Sequence, residues 1–199
     1  MPALDGVVQA GLQQGFGFEL IVDDQDFTHE ILREGRVLGC LRYVAVASTG
    51  FIQQAMPQGL NRGNFAKLPW LVFHRKDGKH AVWVGQAFGL NGPRLVARHV
   101  PSTEAHAPAA VQGWGIAVMP EQLAAPALAA GTLQTLPAEV YVDVRLHWHQ
   151  WKLRPGGEPD LPVAASFDAP LRAGALDQVG RALAESARSS LRPPPPPTP

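Results

Sequence analysis

Short apolar runs rich in strand-forming residues alternate with segments of helical period along the 199-residue chain. That alternation is the strongest constraint on what the chain can fold into. Trp70-Leu71-Val72-Phe73, Leu95 to Val100 and Ile116 to Val118 read as strands, each too short to bury itself alone. Between them, Val82 to Phe88, the segment opening at Ser102, and Glu121 to Ala130 closed by Gly131 read as helices. The same rhythm runs earlier: a helix over Ala3 to Gln14, a strand over Phe18 to Val22, a helix carrying Phe27, Ile31 and Leu32 that Gly35 stops, then a strand over Val37 to Ala47. Phe51 to Met56 predicts a short helix before the turn Pro57-Gln58-Gly59, and Val140 to Leu153 a long extended segment. Strands interleaved with helices predict an α/β fold, a mostly parallel sheet with helices on its faces.

The last part of the chain breaks the pattern. Arg154 to Pro170 is rich in Pro and Gly and reads as a surface loop, whereas Leu176, Val179, Leu183 and Ala187 mark a final helix on the 3.6-residue period. Pro193 to Pro197 cannot be helical and favours an extended polyproline form. A disordered tail or a segment read by a proline-binding partner both fit it.

Composition narrows the function. Apolar residues at 46% can fill a core, and 17 Lys plus Arg against 17 Asp plus Glu leave no net charge, so charge alone supplies no face for nucleic acid. The single cysteine, Cys40, excludes an internal disulfide and a cysteine-rich metal site and reads as a core residue of an apolar strand. No apolar run approaches the ~18 residues of a membrane span. Residues 1–15 carry no Lys or Arg and lack the continuous apolar block of a secretory signal, so a cytoplasmic location is the expectation.

Pro101-Ser102-Thr103-Glu104 is the most informative short segment. Pro ends a strand, Ser or Thr caps the helix and Glu stands in its first turn. At the carboxyl end of a parallel strand, such a start also offers hydroxyls and amide N–H groups to a carboxylate. Phe73-His74-Arg75-Lys76-Asp77 leaves another strand with alternating charge. Arg75 or Asp77 could hold opposite ends of an amino acid, or the run is solvated loop charge. Asp23, Asp24 and Asp26 could draw a cation, although helix capping accounts for at least one of them. His147 and His149 share a strand side, as a pair of metal ligands would, but no third ligand stands nearby, and they read more plainly as part of a half-buried strand. No nucleophile elbow, Walker loop, zinc-protease or dinucleotide motif is present. Neither an enzyme nor a cofactor is expected.

Six blocks in order resemble the effector-binding domain of LysR-type transcriptional regulators, and more narrowly its ArgP (IciA) branch, which senses lysine and arginine. They run from Phe18 to Gly39, Leu41 to Ser48, Leu71 to Asp77 and Val100 to Ala105, through Gly113-Trp114-Gly115 with Met119-Pro120-Glu121, to Leu146 to Leu153. The resemblance implies two periplasmic-binding-protein-like lobes with an amino acid held in their cleft, and closure or dimer rearrangement passed on to DNA-binding domains. It implies Ser102 and Thr103 at the ligand carboxylate, Glu104 among the ligand-binding residues, and Phe73, His74, Arg75 and Asp77 lining the other side.

The chain also departs from the family pattern. The winged helix-turn-helix, linker helix and first strand have no counterpart, so no direct DNA contact is expected. About twenty further residues of the pattern are missing between Gly39 and Cys40. The expected organisation is a truncated first lobe over residues 1–47, a second lobe with return strand over 48–153, a loop insertion over 154–170, a helix over 171–190 and a tail over 191–199. Pro108 falls inside the helix that Ser102 opens and should shorten or kink it. The expected partners are lysine or arginine and a second subunit, either another copy or a full-length regulator. A fragment that only dimerises, and a cytoplasmic solute-binding protein of the same fold, are the alternatives.

Overall fold

The computed structural model describes residues 34–137, 139–150 and 173–193. The elements expected before Glu34, the loop over 154–170 and the proline tail beyond Pro193 lie outside these residues. The described elements follow the order β1 (Glu34–Ser48), α1 (Thr49–Ala55), β2 (Pro69–Val72), α2 (Lys79–Phe88), β3 (Val96–His99), α3 (Thr103–Val111), β4 (Ile116–Pro120), α4 (Glu121–Ala129), β5 (Leu133–Thr135), β6 (Tyr141–Gln150) and α5 (Ala173–Ser190). From β1 to β5 the alternation legible in the residues is the alternation of the fold, and β6 then follows β5 with no helix between them.

The chain divides into two compact units, one spanning Arg42–Asp143 and the other formed from Met1–Leu41 and Val144–Pro199. In the first, the sheet runs β3-β2-β4-β1-β5, with β6 also paired to β1. The core β3-β2-β4 is parallel, with Val72 opposite His99 and Leu71 opposite Ala117. β1 then pairs antiparallel with β4, Tyr43 opposite Pro120, and with β5, Ser48 opposite Leu133. Periodicity predicts strands but not their direction, and β5 carries too few residues to register as one.

Period-2 alternation sends Val44, Val46, Leu71, Ala117 and Met119 to one face, where they bury against Ala109 and Ala110 of α3 and Ala124 of α4. The alternate residues Trp70, Ile116 and Val118 are buried as well, and Trp70 packs against Trp83 and His80 of α2, with ring centroids 6.0 and 6.2 Å apart. A sheet covered on both faces needs apolar residues at consecutive positions, and this is why β4 reads as an unbroken apolar run.

Two local features differ from the expectation. α2 begins at Lys79, three residues before Val82, after Gly78 at its N-cap, with Asp77 Oδ1 accepting the Lys79 N–H at 3.4 Å. α3 runs through Pro108 to Val111 without being shortened. The ring removes one i→i−4 bond, to Glu104, an exposed residue that solvent can serve instead. β1 and β6 are fastened by Arg42, whose Nε and Nη2 donate to the two Asp143 oxygens at 2.8 and 2.7 Å while its guanidinium lies 3.3 Å over the Tyr141 ring.

In the second unit, buried Cys40 and Arg192 exchange both backbone bonds, at 2.8 and 3.0 Å. This lays the segment after α5 beside β1. Cys40 is the core residue its apolar surroundings predict. Among the described residues, no helix is long and apolar enough to cross a membrane.

Candidate functional site

Parallel strands deliver their carboxyl ends to one edge of a sheet, and loops leaving that edge are where α/β proteins gather functional groups. Here the edge is formed by the ends of β2 and β3, joined by the Val100 N–H bond to Val72 O at 2.9 Å, and by the end of β4 at Pro120 with Tyr43 of β1 opposite it. The register therefore brings the two segments singled out in the sequence to the same edge.

Ser102 is the N-cap of α3. Its Oγ accepts the Ala105 N–H at 3.2 Å, and its carbonyl lies 2.8 Å from His106 Nδ1. With Ser102 engaged in capping, the exposed Thr103 hydroxyl and the first-turn N–H groups are the donors the helix start can offer, and its dipole favours an anion. Glu104 stands exposed in the same turn.

Phe73 follows β2 directly and is 38% exposed. It stacks at 6.3 Å on His106 of α3 and meets His74 edge-on at 5.5 Å. The loop then folds on itself, with Lys76 N–H donating to His74 Nδ1 and Asp77 N–H to His74 O, both at 3.0 Å. His74 and Arg75 are exposed, whereas the Asp77 side chain is only 9% exposed.

Asp77 belongs to a polar cluster that sequence reasoning missed. Its Oδ1 accepts from Lys79 Nζ at 3.1 Å, and its Oδ2 lies 3.9 Å from Nδ1 of buried His80. Lys79 Nζ in turn stands 5.4 Å from the centre of the Tyr43 ring. Burial, the largest single influence, would raise the Asp77 carboxyl, but the charge of Lys79, the nearby His80 and the hydrogen bonds from Lys79 together hold the group below the usual carboxylate range. Burial also raises the Tyr43 phenol. It pushes His80 down to about 4 against the opposing pull of Asp77, so at neutral pH the imidazole is neutral beside an ionised Asp77. The only signal for Lys79 and His80 in the sequence is their spacing from Asp77 at a helix start; Tyr43 gives none.

A histidine whose pKa is lowered by folding binds its proton more readily in the unfolded chain. Its contribution to stability is complete above about pH 6.5 and declines as the pH falls toward 4, by up to about 3 kcal/mol. Urea unfolding between pH 7 and 4 checks this, and His80→Phe should flatten that part of the slope.

The backbone of His147 and His149 lies in β6, but their side chains, like Asp23, Asp24 and Asp26, fall outside the described residues.

Comparison with known proteins agrees with this architecture. The family described as the LysR substrate binding domain matches residues 18–169, so the chain belongs to that family and has its periplasmic-binding-protein-like α/β fold. The transcriptional regulator LysG of Mycobacterium tuberculosis is 33% identical over 175 residues, covering 77% of this chain and 54% of the relative. The chain thus spans about half the length of this curated relative. Among solved structures, ArgP from Mycobacterium tuberculosis aligns with a TM-score of 0.67 and 27% identity, covering 94% of this chain and 64% of that one. Full-length LysG from Corynebacterium glutamicum with bound effector Arg aligns with a TM-score of 0.58 and 26% identity, over 80% and 47%. Both match the branch that the ordered sequence blocks resemble, and the named relatives are regulators rather than enzymes.

Proposed function

We propose that this chain is the effector-binding part of a LysR-type regulator and senses a basic amino acid, arginine or lysine. The ligand's α-carboxylate is received by Thr103 and the first-turn N–H groups of α3, with Ser102 holding the helix start in shape and Glu104 beside it. Its cationic end is received at Asp77, with Phe73 supplying an apolar surface and His74 and Arg75 lining the loop. One observation carries the reading: a helix start with an exposed Thr103 hydroxyl and an ionised, largely buried carboxylate stand on the same edge of one sheet. Those are the two charges needed to recognise the two ends of a basic amino acid. That a LysG relative is known with arginine bound supports the choice of ligand.

Calorimetry with arginine, lysine, citrulline and leucine tests it. Arginine and lysine are expected to bind, citrulline and leucine to give no heat. Thr103→Val preserves the helix and should weaken arginine by tenfold or more, the worth of a hydrogen bond to a charged group. Silence with all four compounds would overturn the reading. We further propose a dimeric state, with another copy or with a full-length regulator; size-exclusion of the chain alone and of such a mixture checks it, and a monomer in both would refute it.

A further inference from the structure

The cluster at Asp77 has the composition of a cation subsite, and the chain already places a cation of its own in it. A carboxylate oxygen at 3.1 Å and an aromatic ring at 5.4 Å surround the Lys79 ammonium, the pair of groups that also receives a free ammonium or guanidinium. The hydrogen bonding of the cluster is incomplete. Nδ1 of His80 is buried with no hydrogen-bond partner among the described residues, and the residue is 1% exposed. Val118 N–H approaches His80 Nε2 at 3.4 Å. Nδ1 of the same ring lies 3.9 Å from Asp77 Oδ2. One carboxylate oxygen thus serves Lys79, while the other stands too far from the imidazole to bond it.

We infer that Lys79 is a tethered stand-in for the ligand's cationic end: its ammonium occupies the subsite made by Asp77 and the Tyr43 ring, and a basic amino acid binds by displacing it. This rests on the reading that the edge binds a basic amino acid. Lys79 is suited to the exchange. Its side chain is one-third exposed, against 9% for Asp77, so it can swing into solvent and leave the carboxylate behind. A guanidinium, which presents paired N–H groups to both oxygens of a carboxylate, replaces a single ammonium with a bidentate partner. Lys79 therefore tunes affinity and favours ligands that out-compete an ammonium, arginine before lysine.

The full chain and its Lys79→Met and Lys79→Arg variants are titrated with arginine and citrulline, after circular dichroism has confirmed their fold. Removing a competing ion pair of this exposure should tighten arginine binding about fivefold in Lys79→Met. Lys79→Arg keeps a tethered cation and should not gain affinity. Citrulline should distinguish none of the three. In parallel, acylation of the Lys79 amine by acetic anhydride, read by mass spectrometry, should quicken when arginine is added. Binding by the unaltered chain with no gain in Lys79→Met, or with no change in acylation, would overturn the inference and leave the proposed function standing. Failure of every form to bind arginine would overturn both.

Discussion

Gly115→Ala is expected to cost the fold more than about 3 kcal/mol, because no side chain fits between the strands where this residue lies. A Cβ built there would stand 2.4 Å from the Pro69 carbonyl oxygen and 3.0 Å from its carbon, closer than real contacts allow, and the obstacle is backbone rather than a side chain that could rotate away. The backbone φ of +157° adds strain of its own for any residue with a Cβ. Relief would require β2 and β4 to part where Trp70 faces Ile116, at the start of the parallel pairing that forms the site edge. Gly131→Ala is the matched control. Gly131 also has positive φ, at 70°, but nothing lies within 4 Å of its added carbon, so only the conformational cost of about 1 kcal/mol remains. Urea unfolding of the two variants should show this difference; similar losses would refute the steric account.

Trp83→Ala should cost about 3–5 kcal/mol, the range for removing a large aromatic from a packed interior. Trp83 is fully buried on α2, packs on Trp70 with centroids 6.0 Å apart, and donates its Nε1–H to Val140 O at 2.9 Å. Its loss leaves both a void and an unpaired carbonyl just before β6. Trp83→Phe separates these contributions: most of the ring remains and only the hydrogen bond goes, for a cost of about 1 kcal/mol. Because the first turn of the same helix positions Asp77, the proposed cation receptor, Trp83→Ala should also weaken arginine binding in the surviving folded fraction, and Trp83→Phe should do so much less. Thermal unfolding with and without arginine reads both effects.

What could be read from the residues was local. The Pro-Ser-Thr-Glu segment announced a cap, and Ser102 caps α3 because a hydroxyl three residues before an amide reaches it wherever the helix lies. The apolar runs announced β2, β3 and β4 because burial on both faces demands them. Asp77 was visible as a charge leaving a strand. His80 was not visible as part of a site: flanked by Ala81, Val82 and Trp83, it reads as one more residue on an inward helical face. Its meaning comes from Val118 and Trp70, which belong to two different strands. The continuity of α3 through Pro108 likewise depended on where the orphaned carbonyl falls, on a face open to water.

The residues alone determined the alternation of strand and helix, the kinship, and the polar groups at each strand's end, since capping, periodicity and turn chemistry act over a few neighbours. Only the tertiary structure decided which strand ends lie side by side. β-Pairing joins residues distant in the chain, so nothing near Tyr43 in sequence foretells Lys79 beside its ring, and nothing near Phe73 foretells His106 beneath it. The order of the sheet is a global minimum over many pairings, and a site built across that order is set by all of them together.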